Sequence, residues 1–131
     1  MNTFQNHILY LCRSEVMELC QQLDSVAIIR DVFKMHASAQ TTLPDEAYLG
    51  WVNQYGEAAR SLNMPSYIGG AIRRAGTKII NGNIHNAHRG LPRASGVTLL
   101  FDDITARVCC IMEAAFISSL RTASVSVLAV E

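Results

Sequence analysis

The stretch Ser118–Glu131, SSLRTASVSVLAVE, sets how the rest of the chain is read. Small and apolar residues at helical spacing predict a helix that begins near Glu113, and its serines and alanines permit close packing against a neighbour. No Gly, Asn or Pro stop signal follows it, and no lysine or arginine stands in its last turn. One cation, Arg121, interrupts it. An arginine among Leu120, Ala123 and Val125 needs an anionic partner, because its planar fork loses hydration there.

Upstream of that helix the period changes from helical to alternating. SGVTLLFDDITARVCCIM predicts a hairpin turning at Asp102–Thr105. YIGGAIRRAGTKIING predicts a turn at Gly69–Gly70 and a short strand ending at Asn81. AYLGWVNQYGEAARSLNMP predicts a hairpin around Asn53–Gly56, with Arg60, Leu62 and Met64 on one face of its second strand. TTLPDE reads as a turn and NIHNAHRGLPRA as a polar loop. Nearer the N-terminus, HILYLC has strand length, and RSEVMELCQQ follows as a helix with Ser14 as its N-cap. DSVAIIRDVFKMHASAQ predicts a second helix capped by Asp24 or Ser25, burying Val26, Ile29, Val32, Phe33 and His36. The order predicts one α+β domain over residues 1–131. Two N-terminal helices pack on a mixed, mostly antiparallel sheet, and the C-terminal helix closes it.

Composition narrows the function classes. At 131 residues and 50% hydrophobic, the chain supports one core, and nothing approaches the roughly 18 unbroken apolar residues of a membrane span. The N-terminus has no basic segment followed by an apolar core, so the expectation is a soluble, cytoplasmic protein without a membrane partner. Cys12, Cys20, Cys109 and Cys110 form no CxxC pair and read as buried thiols. Formal net charge is zero, which removes bulk attraction to nucleic acid and lowers the barrier to self-association.

The zero conceals an asymmetry. Glu15, Glu18, Asp24, Asp31, Asp45, Glu46 and Glu57 precede residue 58, whereas no acid occurs between Ala58 and Phe101. Arg60, Arg73, Arg74, Lys78, Arg89 and Arg93 all lie in that interval. Such a cluster fits a site for a small carboxylate or phosphate, and equally a basic surface paired with the acidic first third. Only Tyr67 offers a stacking aromatic among these cations, which argues against nucleic acid. His85-x-x-His88 lacks a third metal ligand nearby, and the terminal serines lack a Ser–His–Asp arrangement. No GxGxxG or GxxxxGK occurs.

MPSYIGG, GTKIING, LPRASGVTLLFDD and MEAAFISSLRTASVSVLA together resemble the N-terminal domain of the ornithine cyclodeaminase/mu-crystallin family. Within it they are most similar to the branch that makes 2,3-diaminopropionate by oxidising an N-(amino-carboxyethyl)glutamate intermediate with NAD. The resemblance is strong over the half from Met64 onward and faint over residues 7–63. It implies that Lys78 is the catalytic lysine, gripping a substrate carboxylate and assisting proton transfer, and that Arg121 holds that carboxylate bidentately. It also implies substrate contacts at Arg60 and Met64, and cofactor contacts at Thr122, Asn81 and Arg93; it implies no metal.

Two departures accompany it. Gly50 stands where the branch carries a basic residue after Tyr–Leu, a contact that Arg60 could supply. Family members continue from this helix into a Rossmann domain and then return to the first; these 131 residues carry neither part. The chain is therefore expected to bind no NAD alone, and to act as a dimer or with a second chain carrying a Rossmann domain. A shortened gene product, an excised fragment and one half of a split enzyme all fit. The other reading is a non-catalytic amino-acid-binding or assembly module derived from the family.

Overall fold

Asn53 organises the first hairpin. Its Oδ1 accepts from the Tyr55 and Glu57 amides at 2.9 and 3.1 Å, while its Nδ2 donates to Glu57 Oε2 at 2.9 Å. Gly56 completes the turn at φ +77°, where a side chain would be strained. In the computed structural model, which describes residues 7–131, this turn joins β3 (Ala47–Val52) to β4 (Ala58–Ile68). Residues 1–6, part of the stretch read above for a leader, lie outside the described residues.

Apart from a two-residue strand at Thr41–Thr42, within a stretch expected to be a turn, the remaining elements follow the expected order. They are β1 (Leu9–Leu11), α1 (Arg13–Cys20), α2 (Ser25–Ala37), β2 (Thr41–Thr42), β5 (Arg74–Asn83), β6 (Ala94–Phe101), β7 (Val108–Glu113) and α3 (Ala115–Leu128). A single sheet runs β1-β7-β6-β5-β4-β2, and β3 shares the outer edge of β4 with β2. Every pairing is antiparallel except β1 with β7. The fold is α+β, with a mixed sheet and helices at both ends of the chain.

Several local expectations are corrected. Cys12, not Ser14, caps α1, because Glu15 in the first turn reaches back and accepts from the Cys12 amide at 2.7 Å. Asp24 caps α2 by accepting from the Ala27 amide at 2.9 Å. β5 runs on to Asn83 instead of stopping at Asn81, since β4 offers ladder partners as far as Ala59. Ile84–Arg89, read as a loop, is a short 3₁₀ helix that Asn83 caps through the His85 amide. Glu113 ends β7 and lies before α3, accepting from the Ala115 and Phe116 amides at 2.9 and 3.1 Å. Of the four cysteines only Cys110 is buried, and Cys12 is exposed at its cap.

α3 lies on β6, α1 packs against β7 and α3, and α2 packs chiefly along α3. The Ser124 hydroxyl, 2% exposed, sits 2.9 Å from both the Ser25 hydroxyl and the Leu120 carbonyl, so small residues do allow close approach there. Because one helix receives α2, its inward stripe is narrow. Val26, Ile29, Val32 and Met35 are half-buried, whereas Phe33 and His36 face outward. The sheet face opposite α3 carries Tyr10, Leu49, Trp51 and Val97, all exposed. Among the described residues no helix is long and apolar enough to cross a membrane.

Glu57 ties the hairpin to the far end of β5. Its carboxylate accepts from Asn53, Asn83 and Arg89, and these bonds, with that of Arg89 the largest, hold its pKa down from 4.5 to about 2. A carboxylate depressed in the fold stabilises it fully above the unfolded value and loses that contribution as pH falls through the folded one. Thermal midpoints should therefore fall between pH 4.5 and about 2 more steeply in wild type than in Glu57→Gln. Parallel slopes would remove Glu57 as a source of acid sensitivity.

Candidate active site on the helix-covered sheet face

Cross-strand partners share a sheet face, which places Lys78, Met64 and Thr98 side by side across β5, β4 and β6. That face lies under α3, and the Lys78 ammonium donates to Ser118 Oγ at 3.2 Å. Burial lowers the Lys78 pKa from its ordinary 10.5; nearby Arg121 lowers it further, and Glu46 acts in the opposite sense. β5 is a central strand, so Lys78 sits mid-sheet and not at a sheet edge.

Lys78, Arg121 and Met64 line one cavity of about 630 Å³, closed on its other side by the Leu43–Glu46 segment. Arg121 has no ion pair or hydrogen bond among the described residues, though Asp45 and Glu46 line the same cavity. The sequence reading missed three groups here. Asp45 and Glu46 sit in a segment read only as a turn, and Ser118 in a run read only as packing. The signal for the two acids was their pairing after Pro44, three and four residues beyond a strand of only two residues.

The other candidates lie elsewhere. Arg60 and Arg93 line a second cavity of about 330 Å³ beside Gly82. Asn81 points to the opposite sheet face, with Trp51 and Ser95. Thr122 is exposed on α3 and donates to the Ser118 carbonyl at 2.8 Å. Thr122, Asn81 and Arg93 are thus not gathered into one cradle, and the residues present do not fit a dinucleotide.

The cations of the basic interval divide between two surroundings, and only Arg89 meets an acid of the first third. Arg73 pairs with Asp103 at 2.8 Å and Arg89 with Glu57 at 2.8 Å, while Arg74 donates to the Phe101 carbonyl. Arg60, Lys78 and Arg93 instead line cavities. His85 and His88 meet edge to face with ring centres 5.9 Å apart, and no group of metal-ligating side chains occurs among the described residues.

Known proteins share this arrangement of elements. The chain is 36% identical over 126 residues to N-((2S)-2-amino-2-carboxyethyl)-L-glutamate dehydrogenase of Staphylococcus aureus, covering 93% of this chain and 38% of that protein. The crystal structure of CmnK superposes with a TM-score of 0.87 at 40% identity, over 91% of this chain and 37% of that one. An archaeal alanine dehydrogenase, a dimer with bound NAD, shares the fold with a TM-score of 0.76 at 24% identity, over 90% of this chain and 34% of that one. The chain thus spans well under half the length of these relatives. The sequence profile of the ornithine cyclodeaminase/mu-crystallin family matches residues 7–131, and the chain belongs to that family.

Proposed function

We propose that these residues form the substrate-binding and dimerisation part of an NAD-dependent amino-acid dehydrogenase or cyclodeaminase, of the kind that makes 2,3-diaminopropionate. The observation that carries this is the shared cavity of Lys78 and Arg121, a half-buried ammonium beside an exposed guanidinium. An anion between them relieves their repulsion, and the arginine fork suits a carboxylate. Met64 supplies an apolar wall and Arg60, on the same sheet face, a further contact. With its pKa lowered, Lys78 gives up its proton more readily than an exposed lysine does, which suits it to proton transfer at the substrate's amine-bearing carbon. Thr122 lies one residue beyond Arg121, at the edge toward a dinucleotide held outside these residues.

The dimer half of the proposal rests on the exposed face of Tyr10, Leu49, Trp51 and Val97. A sheet face that carries such residues with no covering layer is normally buried against another. Sedimentation velocity is expected to report a dimer; a monomer at the highest soluble concentration removes this half.

Calorimetry is expected to show that the chain binds L-glutamate and not NAD. Arg121→Lys keeps the charge and loses the fork, weakening binding by about 1–3 kcal/mol. Should Arg121→Met unfold while Arg121→Lys binds as wild type, Arg121 is structural and the substrate reading ends.

Lys78 gives an independent check. Nitrogen-detected NMR should place its titration below 10.5, with Arg121→Met raising the midpoint and Glu46→Gln lowering it. Since the charged form is disfavoured in the fold, stability should rise with pH between the lowered midpoint and 10.5. An unmoved midpoint in both variants would contradict the proximity of these charges.

A further inference from the structure

We propose that Ser118 is the positioning residue of Lys78, its hydroxyl holding the lysine nitrogen in place both before and after that nitrogen gives up a proton. The inference rests on the reading of Lys78 as the group that grips the substrate and moves a proton.

Five hydroxyls stand on α3. Those of Ser119, Thr122, Ser124 and Ser126 each donate to the carbonyl four residues earlier, at 3.0, 2.8, 2.9 and 3.2 Å. That is the ordinary partner of a serine or threonine inside a helix. Ser118 breaks the pattern. Its amide donates to the Ala114 carbonyl at 2.9 Å, but its Oγ meets Lys78 Nζ at 3.2 Å and no carbonyl among the described residues. Ser118 is also half-buried, whereas Ser119 beside it is exposed. The hydroxyl has turned away from its own helix toward a lysine on the central strand β5, and its hydrogen remains free to be donated.

Lys78 has no other hydrogen-bond partner among the described residues. Its ladder neighbours are Met64 on β4 and Thr98 on β6, neither of them charged. The charged groups around it are Arg121 on α3 and, from the segment before β3, Asp45 and Glu46. None of these fixes the nitrogen by a directional bond. A carbonyl in the place of Ser118 could only accept, and a carboxylate would hold the proton on the lysine. A hydroxyl both accepts and donates. It accepts from the ammonium. Once Lys78 has passed one proton to the bound amino acid, the amine that remains has two N–H bonds and a lone pair. Ser118 can then turn its own O–H toward that lone pair. The serine loses no proton, and the nitrogen stays where it can take its proton back.

Ser118→Ala removes this tether without weakening the helix, because alanine is the better helix former. Nitrogen-detected NMR follows the Lys78 titration in ligand-free wild type, Ser118→Ala, Ser118→Thr and Ser119→Ala, and calorimetry measures L-glutamate binding to the same four. The bond from an ammonium is charge-assisted and stronger than the bond to an amine. The midpoint should therefore fall in Ser118→Ala, return in Ser118→Thr and stay in place in Ser119→Ala. L-glutamate should bind Ser118→Ala about three- to tenfold more weakly, the worth of one hydrogen bond, with threonine again restoring it. A midpoint that does not fall in Ser118→Ala, that threonine does not restore, or that falls equally in Ser119→Ala overturns the proposal and leaves Ser118 a packing residue. So does L-glutamate bound equally by wild type and Ser118→Ala. Wild type that binds no L-glutamate ends the substrate reading by itself, and the titration alone then decides whether Ser118 holds Lys78.

Discussion

The ladder between β4 and β5 sets Met64 opposite Lys78, Leu62 opposite Ile80 and Arg60 opposite Gly82. Strand side chains alternate between faces, so a slip of one residue would turn Lys78 away from α3 and send Asn81 beneath it. The register is secured at both ends. At one end the Ile72 and Arg73 amides donate to the Gly69 carbonyl in the turn joining the strands, and at the other the Glu57 carboxylate accepts from Asn83. Both cavities on the helix-covered face inherit their shape from this register.

Electrostatics divides the cations into two kinds. Arg13, Arg73 and Arg89 meet carboxylates from distant parts of the chain and join elements together. Exposed pairs of this sort contribute little individually, and their role is to orient segments. Arg60, Arg93 and Arg121 have no such pair among the described residues and line cavities instead. All three are exposed, so an incoming anion can reach their planar forks, which is why these positions read as binding residues.

Packing is thin for a chain that is half hydrophobic. Among the described residues only Val16, Cys110 and Ala114 are buried apolar positions. The helices cover one side of the sheet near β6 and β7, while Leu49 and Trp51 remain open on the other. A sheet gains its stability by burying a face against another layer, and here one face has no such layer within the chain.

Much of this was legible in the residues alone. Asn53–Gly56, the Asp102–Thr105 turn and the apolar alternation between them announce the hairpins, because turn chemistry and period are local. The terminal helix and the family likeness of its Arg121–Thr122 run are likewise written in consecutive residues. Cap choice at Cys12, the extension of β5 to Asn83 and the exposure of Phe33 depend on what each segment packs against, which no local pattern carries. The meeting of Glu46 with Lys78 across a long sequence gap, and the separation of Asn81 and Arg93 from Arg121, were decided by tertiary structure only. Strand register and sheet face govern which side chains share a space, and those are properties of pairing between segments and not of any one of them.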